Sequence, residues 1–532
     1  MLPMIAEWPA RRARLVCAWA AAAVVAFMIA VVMLNPIVYE TDHFADTHFI
    51  LGAAWRTYQG LTPALDFGHF YGGFTSWVTA RAFGVVGPKI QAFDFALLML
   101  FCGFGVSLLL MAWRRVSLLC VALAMLTLAT LMFTRYPLEV SESVTRIYAT
   151  HSFLYNRVGL AIVLIVGLFA LLPGQGRMAE VLGGAVAGAL LVVVLLTKPT
   201  FVILIPAAFL AMAVQARWTG AVAMLLSCGV VLILADPWGA RWLASFAYAM
   251  AHVGEDTPTD MLLIRAIKVP LHHPIALTFV LAALAVVLMP PPRPWRQVLA
   301  GAVMAGAATG MATTMGGGGG QLALPIFILL SLVTVEIARR QRNPLASFPQ
   351  IGTAVLVFAF ALPHAANLLG SAQQGWAHRS LVLIEDGPLA DYVSVVRVRP
   401  RQLSQQYETL AEGIAHLEGI EGISAMGIVA DNNITFEFAL QSRPVPGFPL
   451  WQRATAPEFA PDSPLPMDVD VILVGHGSHT DRVAGAFLRR EMGEDFARCA
   501  TTAFWQIYAR RGAALDACRQ RRQPRGDDQN HL

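Results

Sequence analysis

Charge is scarce in this sequence: of 532 residues, Asp, Glu, Lys and Arg make up 14%, against roughly 25% in a soluble domain. That shortage excludes an ordinary cytosolic enzyme, and the high apolar content excludes a disordered chain. Lysine is scarcer still. Only Lys89, Lys198 and Lys268 stand among 38 basic residues. The formal net charge of +4 is too small for a nucleic-acid binder. Histidine and cysteine nowhere take the spacing of a structural zinc site. Of the six cysteines, Cys17, Cys102, Cys120 and Cys228 fall in apolar runs, where cysteine behaves as a small hydrophobe. Cys499 and Cys518 can pair if their part of the chain lies outside the cytoplasm. No small-residue cleavage site follows the first apolar run, which is also too long for a signal peptide.

What remains is apolar: 57% hydrophobic residues and a mean hydropathy of +0.59. A bilayer-crossing helix needs about 20 such residues. Eleven segments are expected to cross: 15–38, 90–112, 116–133, 157–172, 179–196, 199–215, 218–235, 273–290, 297–315, 321–338 and 350–369. The segment 73–86 is too short and contains Arg81, so it is expected to lie in the interface. With Arg11, Arg12 and Arg14 held inside, strict alternation places Arg114, Arg115, Arg177, Arg217, Arg293, Arg296, Arg339, Arg340 and Arg342 on the same side, as the positive-inside bias requires. The N-terminus is then cytoplasmic and the C-terminus external. Most of the non-membrane chain, namely 39–89, 134–156, 236–272 and 370–532, falls on the outer side. A transporter needs machinery on both faces; here the bulk of it is on one.

The composition changes near residue 370. Residues 371–532 carry 16 Arg, no Lys and 20 acids and read as a water-soluble module. Residues 391–398 and 434–440 alternate like strands, and 469–475 is a short apolar strand. Leu403, Tyr407, Leu410, Ile414 and Leu417 mark one helix face. The proline-rich stretch 444–466 reads as a loop. The expected fold is thus an all-α polytopic membrane domain over 1–370, a small α/β domain over 371–518 and a disordered tail over 519–532.

Outside the first span lies the richest local pattern. Phe44, His48, Leu51, Trp55 and Tyr58 recur at helical spacing, giving an interfacial amphipathic helix. Gly60 ends it, and Pro63-Ala64-Leu65-Asp66-Phe67-Gly68-His69 follows as a turn. Asp42 precedes the helix and suits an N-cap. Glu40 and Asp46 are neighbouring acids, Asp46 one helical turn beyond Asp42. Asp66 can hold a sugar hydroxyl or stabilise its turn. Lys198, between two apolar spans with no acid nearby in sequence, is either an anion-binding lysine or a snorkelling one. Arg157, after Tyr155 and Asn156, opens a span; its alternative role is a helix-end anchor. Arg265, Lys268, His272 and His273 form an outer cluster that serves a phosphate or faces water.

An acid just outside the first span, a juxtamembrane helix, a Gly-x-x-Pro-x-x-Asp-Phe turn and a second juxtamembrane helix together resemble the first loop of the GT-C glycosyltransferase superfamily. Asp42, Gly60, Pro63, Asp66 and Phe67 carry the match. The likeness extends more loosely over Leu196-Thr197-Lys198-Pro199, and over Asp470–Val474 and Trp505–Arg510 of the C-terminal module, which resembles the outer domain of bacterial members. It implies an integral-membrane enzyme of the bacterial inner membrane. Such an enzyme moves a hexose or pentose from a polyprenyl-phosphate donor to a lipid or cell-envelope glycan at the periplasmic face, with inversion expected.

In that scheme Asp42 is the catalytic base. Glu40, Asp46, Asp66, His69, Tyr155, Arg157, Lys198 and Lys268 are the substrate-binding candidates. No cofactor is required; a divalent cation at Asp42, Asp46 or Glu40 is compatible with the pattern but not demanded by it. One departure stands out: His43 occupies a place where many members carry a second acid. A lipid-linked saccharide flippase predicts internal repeats and broken mid-membrane helices, neither clearly seen. A binding protein that kept the fold without catalysis would explain the missing acid.

Three further patterns are weaker. Gly475-His476-Gly477-Ser478-His479 follows a strand but lacks the P-loop lysine. Gly184-x-x-x-Gly188 and Gly306-x-x-x-Gly310 read as helix-packing motifs. Gly316–Gly320 reads as an outer turn. Asp94 and His364 lie within spans, lining a cavity or paired in the core.

Overall fold

The computed structural model describes residues 2–35, 37–41, 44–69, 71–134, 154–236, 239–256, 264, 268, 271, 273–288, 294–313, 324–343, 345–396, 402–431, 435–448, 450, 465–476 and 482–520. The chain is mostly helical, with several apolar helices and a smaller sheet-containing region toward the C-terminus. In order, it forms α1 (Leu2–Leu34), β1 (Val38–Thr41), α2 (Phe44–Tyr58), α3 (Phe74–Val86), α4 (Ala92–Ala112), α5 (Leu118–Phe133), α6 (Leu154–Leu171) and α7 (Arg177–Leu195). A 3-10 turn (Pro199–Ile203) leads to α8 (Leu204–Val214), α9 (Trp218–Ala235), α10 (Ala240–Asp256), α11 (Pro274–Leu288), α12 (Trp295–Thr313), α13 (Leu324–Arg340) and α14 (Ser347–Ala377). Then come β2 (Tyr392–Val396), β3 (Gln402–Leu403), α15 (Gln405–Leu417), β4 (Ile428–Ala430), α16 (Phe436–Ala439), β5 (Val471–Gly475), α17 (Arg482–Glu491), β6 (Phe496–Thr501), β7 (Trp505–Arg510) and α18 (Ala513–Arg519).

Each of the eleven apolar segments overlaps a helix among the described residues. Among the described residues, six helices are long and apolar enough to cross a membrane: 12–34, 92–112, 154–171, 177–195, 218–235 and 347–377. Shorter apolar helices cover 118–133, 199–214 and 274–288. The first helix ends at Leu34, so Val38, expected in the span, opens strand β1 instead.

Two compact units emerge: residues 1–35 with 97–371, and residues 36–96 with 372–532. In the first, small residues set the closest helix approach. A Cβ on Gly184 would lie 2.6 Å from the Gly220 carbonyl oxygen, and one on Gly188 2.3 Å from that of Met224. Only glycine lets α7 and α9 meet this closely. Gly306-x-x-x-Gly310 does not behave this way. Among the described residues, a Cβ on Gly306 would meet nothing within 4 Å, and one on Gly310 would meet only Ile203, at 3.6 Å. Two glycines four residues apart make a packing face only where a neighbour occupies it. Near it, α11, α12 and α13 instead leave an apolar cavity of about 300 Å³ beside Gly301, Ala305 and Phe327.

At one end of this unit the loop arginines meet. Arg115 and Arg217 both pair with Glu180, at 2.9 and 2.8 Å. Their guanidinium groups each lie over the Phe169 ring, 4.8 and 5.2 Å from its centre. Arg340 donates to the carbonyls of Arg115 and Pro173. Loops far apart in sequence, each supplying basic residues, are thus tied together.

The second unit holds two sheets. One is three-stranded, in order β1-β2-β3, with β1 parallel to β2; the other is four-stranded, in order β4-β5-β7-β6, with β4 parallel to β5. Val429, Ile472, Val474, Phe487 and Leu488 form its core with Phe496. Cys499 and Cys518 form a disulfide, Cα–Cα 6.1 Å, tying β6 to α18. The expected strand at 434–440 is instead the helical turn α16. Its alternation had a different cause: Phe436, Glu437, Phe438 and Ala439 are all buried, and Glu437 faces an ion-pair partner rather than water.

Candidate functional site

In the second unit, the first loop starts with β1 and continues into α2. Asp42 and His43 lie outside the described residues, as do the side chains of Glu40 and Asp46, whose backbones belong to β1 and the first turn of α2. The described part of α2 runs from Phe44 to Tyr58.

The turn that follows is built as its residues dictate. Gly60 takes φ +96° after α2, a left-handed conformation that glycine adopts without strain. Asp66 is exposed, and its Oδ2 accepts the Thr62 amide at 2.6 Å. It stabilises its own turn and keeps the other carboxylate oxygen available.

His69 is buried, stacked on Phe49 with ring centres 5.0 Å apart. Its Nδ1–H donates to the Tyr71 carbonyl at 2.5 Å, leaving Nε2 to accept from the Ser76 hydroxyl at 3.4 Å. Burial, only partly offset by the bond to Tyr71, pulls its pKa down from 6.5 to about 4. His69 is therefore neutral at physiological pH and suits a structural role or a neutral hydrogen-bonding one. Because the folded value lies below the unfolded one, the unfolded chain takes up the proton first as pH falls. Stability is expected to decline between about pH 6.5 and 4, and His69→Gln to flatten that slope in unfolding titrations of the folded variant.

In the first unit, Lys198 is placed by the break between α7 and α8. Proline at 199 disfavours helical backbone in the residue before it, and Lys198 takes φ −152°, ψ 115°, an extended conformation. Its amide donates to the Val194 carbonyl, and its carbonyl accepts from Phe201, so the chain turns within a few residues. The side chain is buried at 9% exposure. Its Nζ sits over two aromatic rings, 5.2 Å from the Tyr155 centre and 5.3 Å from that of Phe201. A Cβ at Gly159 would lie 2.3 Å from the Phe201 ring, so this glycine lets Phe201 approach α6. Burial pulls the Lys198 ammonium down to about 7.

Arg157, 2% exposed on the same helix as Tyr155, donates to the Met132 carbonyl at 3.4 Å and lies within electrostatic reach of His364. His364 packs edge-on to Phe360, 5.1 Å between centres. Lys198 thus lies beside Tyr155, and Arg157, two residues on along α6, lies near His364; in such a lower-dielectric interior a cation gains more from an anion than it would in water. The structure sets Lys198 against Tyr155 and places Arg157 near His364, for which the sequence offered two readings. Lys268 is exposed, while Arg265 and His272 lie outside the described residues. Asp94 is buried at the start of α4. Gly316–Gly320 and most of the Gly475–His479 loop also lie outside the described residues.

Sequence reasoning missed Arg56 and Glu437. Arg56 is 1% exposed, and its Nε and Nη2 donate to the two Glu437 oxygens at 2.8 and 2.6 Å. An arginine on a helix that otherwise buries aromatics was the available signal. Its partner, hundreds of residues away, had none. Among the described residues no group of His, Cys, Asp and Glu could hold a metal ion.

No family model and no curated protein matches the chain. Two solved structures are similar to it over nearly its whole length. The crystal structure of ArnT from Cupriavidus metallidurans in the apo state is 12% identical, spans 95% of this chain and 99% of its own, and has a TM-score of 0.47. The crystal structure of the same protein bound to undecaprenyl phosphate is 11% identical, spans 93% and 97% respectively, and has a TM-score of 0.38. At these identities and TM-scores, neither likeness speaks to donor, acceptor or mechanism.

Proposed function

We propose that this chain is an integral-membrane glycosyltransferase of the GT-C type, moving a sugar from a polyprenyl-phosphate donor to a lipid or cell-envelope glycan at the periplasmic face of the inner membrane. The observation that carries the reading is the burial of Lys198 between Tyr155 and Phe201, near the Arg157 end of α6. A lysine set at the break between two apolar helices, with its Nζ over two aromatic rings, is suited to hold an anion. A phosphate at the head of a long apolar lipid supplies that anion. The first-loop pattern from Asp42 to Phe67 supplies the base by resemblance, and the Cys499–Cys518 disulfide fits an oxidising compartment.

In this reaction the acceptor oxygen attacks the anomeric carbon as Asp42 takes its proton. The bond to the donor phosphate breaks, its electron pair leaving with the phosphate. Lys198 and Arg157 stabilise the charge that develops there. Inversion at carbon follows from a single displacement.

The test is lipid and glycan analysis of a strain lacking the gene, which should miss one sugar and accumulate the prenyl-phosphate donor. An unchanged envelope with no accumulated donor would end the reading. Lys198→Met is expected to lower transfer about 10²- to 10³-fold, as losing one charge-stabilising donor does, and to weaken donor binding. The pH dependence has a definite sign. Lys198 is charged below about 7, so above that value anion binding must bring a proton with it. Affinity for a phosphodiester lipid should then fall by up to about tenfold per pH unit, and Lys198→Met should lose that dependence.

A further inference from the structure

Within the second unit, the C-terminal module grips the first loop at several points. Strand β1 pairs in parallel with β2, Val38 opposite Tyr392 through Thr41 opposite Val395. Helix α2 is held by the segment around α16. The Thr435 hydroxyl donates to the His48 carbonyl at 2.7 Å, and Trp55 Nε1 donates to the Ser442 carbonyl at 2.9 Å. A Cβ at Gly52 would lie 2.5 Å from Thr435 Cγ2, so α2 has no room to slide past that residue. The Gly447 amide donates to the Asp66 carbonyl, docking the turn.

At the centre is Arg56. Besides its paired bonds to Glu437, its Nη1 donates to the Phe448 carbonyl at 2.5 Å, and its guanidinium lies over the Phe67 ring at 5.3 Å. Glu437 also accepts the Val445 amide. A buried ion pair adds little net stability over an apolar pair, because both charges must leave water. What the planar two-bond fork does supply is geometry: it closes only at one rotation and one height of α2.

We propose that Arg56 and Glu437 are positioning residues. They fix the register of α2 against the C-terminal module, so that β1 and α2 hold the chain on both sides of Asp42-His43 for the transfer. This rests on the glycosyltransferase reading. It gives the external module a role in catalysis with no reacting group of its own.

The test uses the full-length chain in detergent or nanodiscs, with Glu437→Gln followed by transfer kinetics and by hydrogen exchange of peptides covering 38–48. The expected result is a kcat loss of about 10- to 100-fold, the scale on which small misplacements act. The donor KM should be nearly unchanged, exchange over 38–48 faster, and exchange in the α7–α9 helices unaltered. Trp55→Phe, which removes one hydrogen bond, should shift both readouts the same way but less, and it carries the test if Glu437→Gln does not fold. Unchanged exchange, or faster exchange with unchanged kcat, overturns the proposal. If the wild-type chain transfers no sugar, the glycosyltransferase reading fails on that result, while exchange over 38–48 still decides whether the pair holds the loop.

Discussion

Asp42→Asn is expected to lower the rate of sugar transfer by about 10²- to 10⁴-fold, the range that general-base catalysis contributes, while donor lipid still binds. The substitution keeps the size and hydrogen-bonding shape of the side chain and removes only its ability to take a proton at neutral pH. It also separates catalysis from capping. Asparagine caps helices about as well as aspartate, so a capping role predicts unchanged unfolding and unchanged activity. His43 cannot act as a second carboxylate, so Glu40→Gln and Asp46→Asn form the natural companion series. Single-turnover transfer with a prenyl-phosphate-linked sugar, alongside donor binding, decides the matter. Full turnover in Asp42→Asn would remove Asp42 as the base, and a loss confined to donor binding would recast it as a substrate contact.

Much of the membrane architecture was legible because it rests on long, one-dimensional signals. Apolar runs located the long apolar helices at 92–112, 177–195 and 218–235, and Phe44 to Tyr58 announced α2. Short signals fared worse. In 434–440 a period of two suggested a strand, yet burial on all sides erased the difference between strand and helix. The residue responsible, Glu437, makes sense only beside Arg56. Glycine spacing identified the α7–α9 contact and misread Gly306, because spacing says nothing of whether a neighbour arrives. For the candidate site, Lys198 was visible as an isolated charge between spans. Its aromatic walls were not, since Tyr155 and Phe201 reach it through the fold of the chain. Pairwise chemistry between distant segments leaves no trace in a local pattern.

The same limit applies to Glu180, where the largest effect on stability is expected. Glu180 is the shared counter-charge of Arg115 and Arg217, whose side chains are 1% and 7% exposed. It also accepts the Gly174 amide. Burial pulls the Arg115 guanidinium down to about 10, with Glu180 opposing the shift, so Arg115 remains charged at neutral pH. Removing the carboxylate therefore leaves two buried cations beside Phe169, with their own repulsion uncompensated. Breaking a buried pair in this way costs about 3–5 kcal/mol, and Glu180→Ala should approach that range when unfolding is followed in mild detergent. Glu180→Gln keeps hydrogen-bond acceptance but not charge, and should cost less. Replacing Arg115 by methionine on the Glu180→Ala background should recover part of the loss, because it removes one stranded charge along with its partner's absence. If Glu180→Ala shifted stability by less than about 1 kcal/mol, the value of a water-exposed pair, the arginines would be screened by headgroups or water, and the inter-loop tie would be an interfacial ornament rather than a structural one.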